Sequence, residues 1–383
     1  MLLPFLLLTS TLLARTSQTE NGTFALPLGR GPFRTSLQHA ELVDNSRLDP
    51  WNASHVRRLM ISRFDPVPPA NCTSIEVPYL TPRVAEEEDE ILGGYDYPTG
   101  LWEKARLQVC NMTYMECSMA KRDAPIAMFS AGLNTTRLFS QSLVQEIASH
   151  GLTVVLVDHP YDTDIVEFPN GDVIFGNHVK KPENGNSSSV EFALEVRAQD
   201  ISFVMDTLGI SSDDKVVMFG HSFGGAATAT VMLHDERIRA GVNIDGMMFG
   251  PVLNTSLGSQ SDPQAFLLWG SQGHNTTEDA TWGDFWETLK GSSYVDWAKE
   301  FTIVNSTHGS AWDLNMLVDV TGIRGNLSEL ALSGVGPIPA APIWNILGRY
   351  IPAFFRFALG LEPEDEILQG PSDEFPDVLI LRQ

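Results

Sequence analysis

Gly220-His221-Ser222-Phe223-Gly224-Gly225 is the segment of this chain best equipped for chemistry. It contains G-x-S-x-G, in which a serine stands between two glycines, each two positions away. Chance alone produces that five-residue pattern in roughly one chain in five of this length, so its context decides. Lys215 to Phe219 reads as a strand running directly into it, and Ala226, Ala227, Thr228, Ala229 and Thr230 as a helix with a small-residue face leading out. On such a turn the serine hydroxyl is lifted above the sheet edge. A Cβ at Gly220 or Gly224 would meet neighbouring backbone, and the helix N-terminus behind Ser222 favours negative charge. The chemistry encoded is nucleophilic attack on a carbonyl.

A serine hydroxyl is a weak nucleophile until a base accepts its proton. On this kind of turn the partners follow in the order Ser, then Asp or Glu, then His. Of the nine histidines, only His234, His274 and His308 come after Ser222. His234 ends the helix that leaves the turn and is carried away from the site. His308 lies in the loop after the last apolar run, where it can be aimed back at Ser222; His274 lies one strand earlier. For the acid, Asp245 closes the run Gly241 to Ile244 and is followed by Gly246, while Glu278 and Asp279 compete from the next loop. A turn-capping role for Asp245 is the bland alternative. The oxyanion of an acyl-transfer intermediate needs two fixed donors. The Phe223 N–H is the first, and the Leu133 N–H, turned inward by Gly132 in Phe129-Ser-Ala-Gly132-Leu133-Asn134, is the second.

These residues require a scaffold, and the sequence supplies one. From residue 124 onward, short apolar runs alternate with helical patterns: Ile126 to Phe129, Thr153 to Val157, Val216 to Phe219, Ala240 to Ile244, Ala265 to Trp269 and Phe301 to Val304. Continuous apolar strands between helices indicate a mostly parallel central sheet with helices on both faces, an α/β fold. Val190 to Leu208 has helical spacing, with Ser188 and Glu191 as a capping box and Gly209 as a stop. Residues 16–120 are richer in Pro, Gly and polar groups, and the run Glu86 to Glu90 reads as a solvated loop. The stretch 337–360 alternates Trp344, Ile346, Leu347, Tyr350, Ile351, Phe354 and Phe355 with Arg349, Arg356 and prolines. It reads as a helix packed on the domain, with contact to a lipid interface as the alternative, and not as a membrane span.

The 383 residues carry a net charge of −23. So acidic a chain repels phosphate backbones, which argues against nucleic-acid binding and in favour of a neutral or zwitterionic small molecule. The length suits one large domain over 19–383, with residues 19–120 as an extension packed on the core. Residues 1–18 read as a secretory signal peptide: their apolar run MLLPFLLLTSTLLA has the length of an h-region and is too short to span a bilayer. N-x-S/T occurs ten times, at Asn21, Asn52, Asn71, Asn111, Asn134, Asn186, Asn254, Asn275, Asn305 and Asn326. Composition alone gives about two or three, so the excess suggests a secreted glycoprotein. A glycan at Asn134 would crowd the pocket mouth, so that site is expected to be unoccupied or turned outward. Of the three cysteines, Cys110 and Cys117 are the closest in sequence and the first choice for a bridge, with Cys72 to either as the rival. No Cys/His spacing suggests zinc, and no metal or cofactor is expected.

GHSFGG at 220–225, NIDGMMFG at 243–250 and FSAGL at 129–133 resemble the platelet-activating factor acetylhydrolase family, as do DNSRLDPW at 44–51 and VRRLMISRFDP at 56–66. The resemblance runs from about residue 25 to 360. It implies an α/β-hydrolase fold and a secreted serine esterase that removes short sn-2 acyl groups from choline phospholipids. It also implies Ser222 as nucleophile, Asp245 as acid, His308 as base, and Leu133 and Phe223 as oxyanion donors. Members often carry His before the glycine of the oxyanion loop, where this chain has Ala131. The acidic segment 85–95 and the loop 180–189 look like insertions of its own lineage.

Overall fold

A computed structural model of the chain describes residues 22–111, 124–214, 216–259 and 263–383. Nine strands form its main sheet: β1 (Arg34–Leu48), β2 (Val56–Val67), β3 (Ile126–Ser130), β4 (Thr153–Asp158), β5 (Val216–His221), β6 (Ile238–Ile244), β7 (Gln264–Gly270), β8 (Val295–Ile303) and β9 (Val378–Arg382). Their spatial order is β1-β2-β4-β3-β5-β6-β7-β8-β9. The pairings from β4 to β8 are all parallel, and antiparallel strands close both edges. The order places β5 next to β3 and β6, so the loops after these three strands meet at one sheet edge.

Alternation along each central strand divides the apolar side chains between two cores. Ile126, Met128, Val216, Met218, Phe266 and Leu268 face α3 (Ser188–Thr207), α4 (Phe223–His234) and α5 (Ala280–Gly291). Ala127, Phe129, Val217, Phe219, Leu267 and Trp269 face α2 (Gln141–Ala148), α6 (Asp313–Thr321), α7 (Glu329–Val335) and α8 (Ala340–Ala358). Strands buried on both sides have no polar face, which is why they read as continuous apolar runs. Helix α8 buries Ile343, Trp344, Leu347, Tyr350, Ile351, Phe354 and Phe355. The stretch Glu329–Ala358 is apolar enough by composition to cross a bilayer, but here it packs on the sheet.

Several expectations are corrected. The run Glu86 to Glu90 is not a loop: it lies within α1 (Pro82–Gly93). Pro82 opens that helix, Arg83 pairs with Glu86 and Glu87 one turn on, and Val84, Ala85 and Leu92 face the core. Glu88 is buried with them, where burial and the adjacent Asp164 carboxyl push its own carboxyl well above the ordinary range. β8 begins at Val295, earlier than its apolar tail suggested, because buried Lys299 and Glu300 break the run; Lys299 donates to Glu364 and to the Leu368 carbonyl. The cap of α3 lies one residue earlier than expected, with the Ser187 hydroxyl donating to Glu191. Gly209 does follow that helix, with φ +71°. The bridge joins Cys72, two residues before the strand Ser74–Pro78, to Cys110, the last residue of its antiparallel partner Ala105–Cys110. Cys117 lies outside the described residues, as do residues 1–18, Asn21 and Lys215.

Candidate active site

Ser222 lies between β5 and α4 with φ +57° and ψ −127°, a conformation that costs an L-residue energy and that surrounding backbone must impose. Four glycines show how close that backbone comes. A Cβ on Gly220 would stand 2.2 Å from the Gly224 carbonyl, and one on Gly224 would stand 1.8 Å from the Ser130 carbonyl oxygen. On Gly225 it would meet Asn243 Oδ1 at 1.9 Å, and on Gly246 the Ser222 carbonyl oxygen at 1.8 Å. The Ser222 N–H donates to the Ile244 carbonyl at 2.8 Å, fixing the turn to β6.

Asp245 follows β6 with φ +60°, and its N–H donates to the Trp269 carbonyl at 2.9 Å. Its carboxylate is fully used. Oδ2 accepts from His308 Nδ1 at 2.6 Å, while Oδ1 accepts from the Ser271 N–H at 2.6 Å and from His274 Nδ1 at 2.8 Å. Burial pushes this carboxyl up, but the hydrogen bonds from His274 and His308 outweigh it and hold it well below the ordinary range. His308 opens the short turn His308–Ala311 after β8, capped by reciprocal Thr307 and Ser310 hydrogen bonds. Because Nδ1 is committed to Asp245, Nε2 is the ring nitrogen left for a reacting group.

The rival His274 occupies a different place from that of a base. Its Nδ1 meets Asp245 and its Nε2 meets Asp279 Oδ2 at 3.0 Å, so neither nitrogen is left to take a proton from a serine. Burial opposes charge on this ring, but its bonds to the two carboxylates raise it to about 9. Asp279 caps α5 through the Thr281 N–H at 2.7 Å. Glu278 is exposed, and His234 pairs with Glu195 on the outer surface.

His221, beside the serine, fixes His308 from behind. Trp312 Nε1 donates to its Nδ1 at 3.1 Å, and its Nε2 pairs with the His308 carbonyl at 2.8 Å. Burial first, then the nearby His308, depress this imidazole to about 3, which matches a neutral ring donating through Nε2. A small pocket runs along Asp245, Ser271, Thr307 and His308 against Trp269 and Leu347.

On the other side of Ser222, Gly132 lies close enough that a Cβ there would be 3.4 Å from the Ser222 Cβ and 3.8 Å from its Oγ. Leu133 is next, and Phe223 begins α4. Both are held by a residue that sequence reasoning missed. Arg197 of α3 donates to the carbonyls of Ala131 and Gly132 and to Ser130 Oγ, and grips both Asp162 oxygens at 2.7 Å. Its guanidinium also stacks 4.6 Å from the Phe223 ring centroid. The available signal was a charged residue on the apolar face of the Val190–Leu208 pattern. Asn134 has φ +52° and accepts from the Asn177 N–H, so its side chain is engaged with the neighbouring loop. Asn52, Asn71, Asn111, Asn186, Asn254, Asn305 and Asn326 are exposed, and Asn275 is half-buried.

Residues 191–333, which include Arg197, Ser222, Asp245, His274 and His308, match the family described as "Platelet-activating factor acetylhydrolase, isoform II". Over 369 residues the chain is 39% identical to a protein of Arthroderma benhamiae named "Probable 1-alkyl-2-acetylglycerophosphocholine esterase", covering 94% of each. The chain belongs to the platelet-activating factor acetylhydrolase family. It is therefore a carboxylic ester hydrolase. Among family members, the platelet-activating factor acetylhydrolase of Cavia porcellus is 25% identical over 269 residues, 62% of this chain and 58% of its own. A solved ferulic acid esterase from Streptomyces cinnamoneus superposes with a TM-score of 0.74, covering 94% of this chain and 99% of that one at 23% identity. That likeness bears on the fold, which is the α/β-hydrolase fold.

Proposed function

We propose that this family member is a secreted serine esterase that hydrolyses short sn-2 acyl esters, acetyl above all, of choline phospholipids. Residues 19–383 would form its one catalytic domain. The observation that carries the reading is the 2.6 Å bond between His308 Nδ1 and Asp245 Oδ2, beside a serine held at φ +57° on a glycine-walled turn. The 1-alkyl-2-acetylglycerophosphocholine esterase name of the Arthroderma relative and the uncharged or zwitterionic substrate favoured by a net charge of −23 support the substrate class.

In this reading Ser222 Oγ attacks the sn-2 carbonyl while His308 Nε2 takes its proton. Asp245 compensates the imidazolium so formed. The tetrahedral oxyanion is stabilised by the N–H groups of Phe223 and Leu133. As the intermediate collapses, His308 returns the proton to the lysolipid oxygen and the acetyl group remains on Ser222. Water, deprotonated by the same imidazole, then attacks the acyl-enzyme and releases acetate. No step needs a metal.

The test is calcium-free hydrolysis of two choline phospholipids that differ only in an acetyl or a long acyl group at sn-2, with Ser222→Ala as the blank. The expected result is strong preference for acetyl and no turnover by a folded Ser222→Ala protein. Full activity in that variant would remove the serine from the mechanism. Aryl ester cleavage without phospholipid turnover would make the protein a general carboxylesterase.

A further inference from the structure

Asp245 is shared by two imidazoles, one on each carboxylate oxygen. The second, His274, continues to Asp279, so that a chain of hydrogen bonds runs from His308 through Asp245 and His274 to the N-terminus of α5. Each end of the His274 ring meets a carboxylate, which can only accept. Both ring nitrogens must therefore donate, and an imidazole with two N–H groups is a cation. The Trp282 indole packs against one face of this ring with centroids 4.3 Å apart, and Trp282 Nε1 donates to the Gly246 carbonyl. The ring is therefore fixed on three sides.

Resting on the assignment of His308 as base and Asp245 as its acid, we infer that His274 is a positioning residue that holds a positive charge behind the shared carboxylate at neutral pH. It locks Asp245 in the orientation that faces His308, and its charge disfavours a second positive charge on His308.

The charged groups around His274 are accounted for. Asp245 approaches from the end of β6 and Asp279 from the start of α5. Glu300 of β8 is engaged by the Thr276 N–H and hydroxyl, with Arg382 of β9 3.8 Å away. Glu278 faces solvent, and His308 and His221 lie beyond Asp245. Among these, only Asp245 and Asp279 bond to the ring.

His274→Gln keeps an N–H donor for Asp245 and removes the charge. Its kcat/KM profile is expected to lose activity at higher pH on the acidic side, with the acidic limb moved up by about one pH unit. A purely structural role would lower kcat or Tm and leave the limb in place, and that outcome would overturn the inference. The second measurement needs no variant. Nitrogen-15 spectra of the wild-type imidazoles should show His274 with both nitrogens protonated at pH 7, whereas a neutral ring at that pH would overturn it. Ser222→Ala and Asp245→Asn test the underlying triad separately: retained turnover in those would sink the triad whatever His274 does.

Discussion

The two flanks of Ser222 are built on opposite plans. On the proposed acid–base flank, His308 is about half exposed, and it is held through a carboxylate and the hydrogen-bonded imidazoles of His221 and His274, at the end of β5 and on the loops after β6, β7 and β8. On the flank of the proposed oxyanion hole the candidate donors are main-chain groups beside Arg197 and Asp162, which are both fully buried. The difference follows from their tasks. A base must exchange protons with substrate and water, so it needs an accessible, titratable ring whose neighbours tune its charge. An oxyanion hole must not move or relax as charge develops, so its dipoles are fixed by buried, hydrogen-bonded groups.

The contrast predicts that damage on one flank costs rate alone, whereas damage on the other costs rate and fold together. The largest effect is expected from Asp245→Asn, which leaves the backbone in place but gives His308 the wrong hydrogen-bonding partner. kcat should fall by about 10⁴, with a Tm within a few degrees of wild type. A large Tm loss would show that the acid–base flank is also structural. Arg197→Met comes next, because it strands the buried Asp162 carboxylate and frees the Ala131 and Gly132 carbonyls. Denaturant unfolding should show a loss of about 3–5 kcal/mol, and kcat should fall roughly 10²-fold or more. Unchanged kcat in a folded variant would break the link between this clamp and the oxyanion donors.

A control lies outside both flanks. Replacing Cys72 and Cys110 with serine opens a loop spanning 38 residues and should cost about 2–4 kcal/mol. Because the bridge lies in the small outer sheet, kcat/KM should not change, and a rate loss would tie that sheet to the site. The smallest effect is a pH dependence of stability. With His274 raised from 6.5 to about 9, its contribution is complete below pH 6.5 and fades as pH rises through 9. Tm should therefore decline across that window, and His274→Gln should flatten the decline. A decline of the same size in the variant would assign the effect to another group.

Local patterns were legible where one stretch of chain carries the whole signal. The Ser222 turn is one, since its strand, its glycines and its helix are contiguous, and the parallel strands are another, since burial on both faces leaves an unbroken apolar run. Position in the chain order singled out Asp245 and His308, and the structure brings them into hydrogen-bond contact. What sequence could not show was pairing at a distance. His308 and His274 read as rival bases, and Asp245 and Asp279 as rival acids, yet the four form one connected chain. Arg197 is recognisable only once Asp162 and the oxyanion loop, distant in sequence, are seen around it. The acidic helix α1 was misread because charge was weighed above spacing, and Glu88 was thought solvated when it faces the core. The long hairpin β1–β2 escaped notice because Arg57, Arg63 and Asp65, all buried, interrupt its apolar pattern.

That hairpin also constrains how the chain can be made. Arg57 is completely buried, and it is neutralised by Asp49 at 2.8 Å and by Asp200 at 2.7 and 3.1 Å. Asp200 also takes His159, whose Nε2 meets Ser130 at the foot of the oxyanion loop. The separation between Arg57 and Asp200 is 143 residues, on the order of ten seconds of synthesis at usual rates. Asp49, eight residues from Arg57, is available early, but the Asp200 half of this cluster is available only once α3 emerges. Fragments that end before residue 200 lack the Asp200 partner of Arg57 and should be less stable than chains that include it, which denaturant unfolding would check.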